Sequence, residues 1–131
     1  KLFELQTFSS VHQLVSTITA KLAPEYSTLD AINSLFPAGS MTGAPKHSAV
    51  SFLSETEGHN RGYYSGAFGW IASNGDSELA MTIRSVLISE GKCSIGVGGG
   101  ITWGSEPKEE YAEMQLKAKA LVETIQGAVT W

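Results

Sequence analysis

Three strand-like runs, YYSGAFGWIA (Tyr63–Ala72), ELAMTIRSVLIS (Glu78–Ser89) and CSIGVGGGIT (Cys93–Thr102), follow one another with only turn residues between them. Ser73-Asn74-Gly75-Asp76 and Glu90-Gly91-Lys92 are hairpin connections, too short for the crossover of about a dozen residues that parallel pairing requires. The reading is therefore an antiparallel meander. After Gly104-Ser105-Glu106-Pro107, a long helix is expected from Pro107 to Gln126. At about 100° per residue, its Tyr111, Met114, Ala118, Leu121, Val122 and Ile125 form one apolar, core-facing stripe. Upstream, Ser9–Ala20 is rich in β-branched residues and reads as a strand. Ser27-Thr28 then caps a helix to Leu35, with Asp30 in its first turn. A connection from Phe36 to Pro45 leads into a second helix, whose Ala49, Phe52 and Leu53 share a face and which Gly58 stops. Strand, two helices, three strands and a helix make an α+β arrangement: an antiparallel sheet with packed helices, read as one unit over residues 1–131.

The 131 residues carry 9 basic and 13 acidic side chains, a formal charge of −4, and 42% are hydrophobic, enough for a core. An acidic balance argues against nucleic-acid binding, which needs clustered Lys and Arg to displace counterions from phosphates. No apolar run approaches the roughly 20 residues that span a bilayer, so no membrane partner is expected. Lys1-Leu2-Phe3-Glu4 lacks the features of a secretory leader. A single cysteine, Cys93, excludes an intrachain disulfide framework, so a reducing, cytoplasmic setting is the expectation.

Several constellations bear chemistry. Glu110, Glu113 and Lys117 stand at i, i+3 and i+7 on the last helix, beside its apolar stripe. Two carboxylates one turn apart suit a hard divalent cation, while the plainer reading is a solvated face with a Glu113–Lys117 ion pair. Gly98-Gly99-Gly100 closes the third strand, as an amide nest for an anion or as a flexible strand end. Gly39-Ser40-Met41-Thr42-Gly43-Ala44-Pro45-Lys46 brings hydroxyls to a helix start, an anion site or simply a cap. Arg84, mid-strand among apolar residues, must find an anion, either a ligand carboxylate or an internal Asp or Glu. Tyr64 adds a phenol on the preceding run. His12, His47 and His59 have no metal-like spacing, and Cys93 has no activating neighbours. Together these residues suit a small polyanion held partly through Mg²⁺.

LFPAGSMTGAPKHSA (35–49), RGYYSGAFGWI (61–71), MTIRSVLI (81–88), VGGGI (97–101) and EEYAEMQLKAKAL (109–121) resemble, in order and spacing, the chorismate-utilising enzyme family. Within it, HQLVSTITAKL (12–22) followed by FPAGSMTGAPK is most similar to component I of aminodeoxychorismate synthase, the para-aminobenzoate and folate branch. Component I of anthranilate synthase, on the tryptophan branch, is close. The resemblance implies Mg²⁺ at Glu113, with Glu110 acting directly or through water, and Lys117 on a substrate carboxylate. It implies backbone amides of Gly98, Gly99 and Gly100 on a carboxylate, Arg84 and Tyr64 on the enolpyruvyl carboxylate, and a retained hydroxyl at Ser40. It also implies chorismate as substrate and a glutamine amidotransferase subunit or domain supplying ammonia.

Two departures stand out. Many members have His before the Leu-Val-Ser block, where this chain has Gln13, with His12 displaced by one; Gln13 is placed in the site as a hydrogen-bonding group without a charge. The resemblance also reaches only the C-terminal half of a catalytic region about twice this size. The family's catalytic lysine and general-acid glutamate belong to the N-terminal half, so no catalytic residue is assigned here. Two functions are therefore weighed: a chorismate-binding synthase that aminates chorismate to 4-amino-4-deoxychorismate, and a catalytically incomplete half-domain that associates through the face its other half covers.

Overall fold

The long helix forms where the sequence places it. The computed structural model describes residues 1–9 and 11–125, so the expected helix end at Gln126 lies outside the described residues. Helix α4 spans Pro107–Ile125 and turns Met114, Leu121, Val122 and Ile125 partly inward around Ala118, which is buried. Tyr111, expected on that stripe, is instead 49% exposed at the helix's first turns.

The meander is cut in two. The expected strand Glu78–Ser89 is divided into β4 (Ser77–Met81) and β5 (Val86–Ser89). β4 pairs with β3 (Ala67–Ile71), and β5 pairs with β6 (Lys92–Ile95), both antiparallel, as separate two-stranded ribbons. Bonds to the preceding run accompany the cut, together with a turn inside 82–85. The Thr82 amide donates to the Gly66 carbonyl (2.9 Å) and the Ser65 amide to the Thr82 carbonyl (3.1 Å). The Ser85 hydroxyl donates to the Ile83 carbonyl (2.9 Å), and Arg84 takes the left-handed conformation at φ 52°. Arg84 is thus not a mid-strand residue. The third run is short as well: β6 ends at Ile95, and Gly96–Gly100 leave the ladder. The turns do what their residues allow. Glu90 and Gly91 have φ 51° and 74°, both positive as a two-residue type I′ hairpin requires, between the Ser89↔Lys92 pair.

The expected N-terminal strand is only β2, His12–Val15, paired with β1, Glu4–Thr7, an element whose pattern is too short to read. Helix α1 (Thr28–Leu35) starts on a complete capping box: the Asp30 amide donates to Ser27 Oγ (3.3 Å), and the Ser27 amide to Asp30 Oδ2 (2.8 Å). Lys46 Nζ donates to the Ser34 and Leu35 carbonyls at the other end (3.0 and 3.1 Å). A single helical turn, α2 (Gly39–Thr42), precedes α3 (Lys46–Thr56); α3 runs from Pro45, and Gly58 follows its end with φ 66°. Ala49 and Leu53 are half-buried on α3, while Phe52 is 65% exposed.

Much of the chain's apolar surface is open. Its accessible area is 10,941 Å² for 13.9 kDa, where a folded monomer of this mass exposes about 6,700 Å². Among the described residues only Ala118 and Ser65 are buried.

Candidate functional site

The exit of β6 meets Tyr64, and the glycines there decide what fits. A Cβ on Gly96 would lie 2.2 Å from Tyr64 Cγ, so the Tyr64 side chain packs directly on bare backbone. A Cβ on Gly98 would sit 3.0 Å from the Tyr64 hydroxyl, and one on Gly99 would sit 2.9 Å from Glu110 Oε2. The steric demand for glycine is firm at Gly96, whereas at Gly98 and Gly99 only the tips of Tyr64 and Glu110 would have to give. At Gly100 a Cβ would meet nothing within 4 Å.

Around this strip lies a pocket of about 410 Å³. Ser40, Tyr64, Arg84, Gly98, Gly99, Gly100 and Lys117, all singled out in the sequence, line it, beside the apolar side chains of Met41, Leu53, Ile83, Val97 and Ile101. Six separate segments thus converge on one cavity. Arg84 is exposed, and its Nη1 donates to the Lys117 carbonyl on α4 (2.6 Å). The expectation of a buried arginine that must be neutralised is corrected: the left-handed turn at 82–85 swings it out of the ladder to the pocket rim, where water solvates it. One bond uses one of five guanidinium donors. Lys117 Nζ donates to the Gly98 carbonyl (3.2 Å) and is ion-paired with Glu113.

The two helix carboxylates are held differently. Glu110 is half-buried: its Oε1 accepts from the Ser105 hydroxyl (2.6 Å) while Oε2 lies against Gly99. Glu113 is 54% exposed in its side chain and faces Lys117. Among the described residues, no three Asp, Glu, His or Cys side chains cluster as a complete metal site. Gln13 is exposed on β2 and is not among the pocket-lining residues, because the strand that carries it pairs with β1 and not with the β5–β6 ribbon. His12 Nδ1 lies 3.1 Å from the Thr7 hydroxyl within that hairpin.

Two pocket residues escaped the sequence reading. Glu57 and Arg61 form a two-pronged ion pair, Nε to Oε2 at 2.8 Å and Nη2 to Oε1 at 2.5 Å. The guanidinium holds the Glu57 carboxyl below its usual range, and the carboxylate in turn pushes Arg61 up. Arg61 Nη1 also donates to the Met41 carbonyl (2.7 Å) and the Ser65 hydroxyl (2.9 Å), and the guanidinium carbon lies 5.9 Å from the Tyr64 ring centre. The four-residue spacing of Glu57 and Arg61 was the available signal. Gly58 hid it by ending the helix between them.

Residues 1–123 match the family described as chorismate binding enzyme. The chain belongs to the chorismate-binding enzyme family. Among its relatives, an aminodeoxychorismate synthase of Streptomyces pristinaespiralis is 42% identical over 127 residues, covering 97% of this chain and 18% of the relative. Anthranilate synthase component 1 of Arthrobacter globiformis is 39% identical, covering 95% of this chain and 24% of the relative. The crystal structure of anthranilate synthase component I from Streptococcus pneumoniae TIGR4 superposes with a TM-score of 0.85 at 36% identity, over 92% of this chain and 28% of that one. The chain thus spans about a fifth to a quarter of the length of these relatives, which are chorismate-utilising enzymes. The mixed helix and antiparallel-ribbon architecture is that of this family. No described helix is long and apolar enough to cross a membrane.

Proposed function

We propose that this chain supplies the anion-binding wall of a chorismate site in an enzyme of the aminodeoxychorismate synthase type. The observation that carries the reading is the convergence of Arg84, Tyr64, Lys117, Ser40 and the Gly98–Gly100 backbone on one pocket. Chorismate is a dianion on a small ring, and such a ligand calls for a guanidinium, an ammonium, hydroxyls and free amides within one apolar cavity. In this role the Arg84 guanidinium forms two parallel bonds to the enolpyruvyl carboxylate and the Tyr64 phenol adds a third donor. The Gly98–Gly100 amides and Lys117 orient the substrate, and Ser40 closes the opposite rim. These groups contribute positioning and charge stabilisation, and no residue here is assigned the proton transfers.

The donor set fits Mg²⁺. Glu110 and Glu113 offer hard oxygens one turn apart, with Glu110 already oriented by Ser105, and a magnesium ion is typically held by one or two carboxylates plus waters and substrate oxygens. When bound there it would neutralise a ring carboxylate. Glu113 would exchange Lys117 for the ion, releasing the ammonium toward substrate. A glutamine amidotransferase partner would supply ammonia to replace the 4-hydroxyl, in a cytoplasmic pathway to para-aminobenzoate. The identity to the aminodeoxychorismate synthase slightly exceeds that to anthranilate synthase, which supports the first branch over the second.

Chorismate, Mg²⁺ and ¹⁵N-ammonium given to the complete gene product, with both halves of the catalytic region, test the proposal: label at ring carbon 4 is expected, and label at carbon 2 would transfer the chain to the anthranilate branch. The exposed area favours one other reading, a structural half that acts only when its open face is covered. Concentration-dependent association without turnover would support it, and turnover by the 131-residue chain alone would eliminate it.

A further inference from the structure

Arg61 is chemically the most occupied side chain at the pocket, yet it presents nothing obvious to a ligand. Four of its five donors are engaged, by the carboxylate of Glu57 at the end of α3, the Met41 carbonyl in α2 and the Ser65 hydroxyl in the turn before β3, and its guanidinium carbon lies over the Tyr64 ring. Among the described hydrogen bonds, the one to Met41 is the only one that links residues 38–43 to another element. The rest of the α2 turn is held by its own short-range bonds, and its N-cap, Ala38, has no polar side chain to close it. Ser40 immediately precedes the anchored carbonyl.

We infer that Arg61 is a positioning residue that fixes the Ser40 turn relative to Tyr64 and so sets the width of the pocket. The inference rests on the reading of this pocket as a chorismate site and deepens it by naming the group that holds two of its walls together. Geometry supports it over an ordinary helix-end ion pair, because a pair that only stabilised α3 would not need the bonds to Met41 and Ser65. It also requires arginine. A fork of five fixed donors reaches three partners at once, whereas a lysine ammonium is a single mobile point charge.

The three methionines, Met41, Met81 and Met114, allow a direct test by methyl-labelled NMR of the chain. In Arg61→Lys the Met41 signal is expected to shift and broaden while Met81 and Met114 keep their positions. Amide exchange in residues 38–43 should rise about tenfold, the scale of one lost charge-assisted hydrogen bond. Glu57→Gln, which frees the guanidinium from its anchor, should give the same pattern more weakly, and it decides the matter if Arg61→Lys fails to fold. An unmoved Met41, or three signals moving together, overturns the inference. A chorismate titration followed on the same signals separates the two claims. No response in the wild-type chain overturns the site reading alone, with the Met41 result still deciding the tie. Equal chorismate affinity in wild type and Arg61→Lys overturns the positioning role.

Discussion

The N-terminal hairpin and the pocket wall contain the same kinds of residue, short β-branched runs with leucines and aromatics, yet they are held on different terms. The hairpin's described hydrogen bonds are its own, from Lys1–Thr17 at its mouth to Thr7–His12 near its turn. It leaves Leu5, Leu14 and Ile18 61%, 67% and 92% exposed. The pocket wall is laced by bonds between distant segments: Arg61 to Met41, Lys117 to Gly98 and Arg84 to Lys117. A two-stranded ribbon is marginal on its own, so what orders a segment here is the number of its polar ties to other segments and not its hydrophobicity. Substitutions should therefore matter at the pocket wall, through stability or through ligand binding, and be nearly silent on the hairpin.

The largest effect is expected at Gly96. An alanine there forces the Tyr64 ring off the strand exit, and overpacking of this kind costs about 1–3 kcal/mol. Urea unfolding of Gly96→Ala should show that loss together with loss of chorismate binding. Gly100→Ala is the matched control, since its Cβ meets open space and its unfolding should be unchanged. Equal destabilisation at both positions would dissolve the contrast between tied and untied backbone. Next comes Arg84→Gln. Its side chain is exposed, so the unfolding midpoint should hold while chorismate affinity falls by about 10- to 100-fold, as expected for a lost hydrogen bond to a charged group. A calorimetric titration with unchanged affinity would remove Arg84 from the site.

Legibility in the sequence followed the range of each interaction. The capping box of α1, the Glu90-Gly91 turn and the inward face of α4 are decided within a few residues, and each could be read from its own segment. The break at Thr82–Ser85 could not, because MTIRSVLI holds no Gly, Pro or Asn, and its kink is imposed by bonds to Ser65 and Gly66 on another run. The same limit applied to the site. Its candidate residues were named from composition and resemblance, but that Gly96 must be bare because Tyr64 lies on it is invisible without the fold. Gln13 is named from the resemblance, as the residue before the Leu-Val-Ser block, on a strand whose partner, β1, is not foreseen.

Acid sharpens the comparison next. Glu57 has its folded pKa lowered by Arg61, so its contribution to stability is fully present above the ordinary glutamate value near 4.5 and is lost as pH falls through the lower folded value. Arg61, raised further above the range of the experiment, stays charged throughout. Stability of the wild-type chain should decline on acidification below that window, and Glu57→Gln should remove part of the slope. The Asp30 carboxylate, lowered by its bonds to Ser27, retains a share of that slope in both proteins. An identical acid limb in wild type and Glu57→Gln would show that the tie carries no linked proton.

The smallest effect is expected on the hairpin, where Ile18→Ser tests the other half of the contrast. Ile18 is 92% exposed, so in this chain its side chain already contacts water and its replacement should alter the unfolding free energy by less than about 0.5 kcal/mol. Apolar surface this open costs nothing to remove from a monomer, but it contributes roughly 25 cal/mol per Å² wherever something covers it. The substitution should thus be silent in dilute urea melts of the chain and lower its tendency to associate at high concentration, read by sedimentation. A clear loss of stability in the dilute melt would mean that the hairpin packs on the remainder of the chain more firmly than its hydrogen bonds indicate, and the two regions would then be ordered by the same kind of contact.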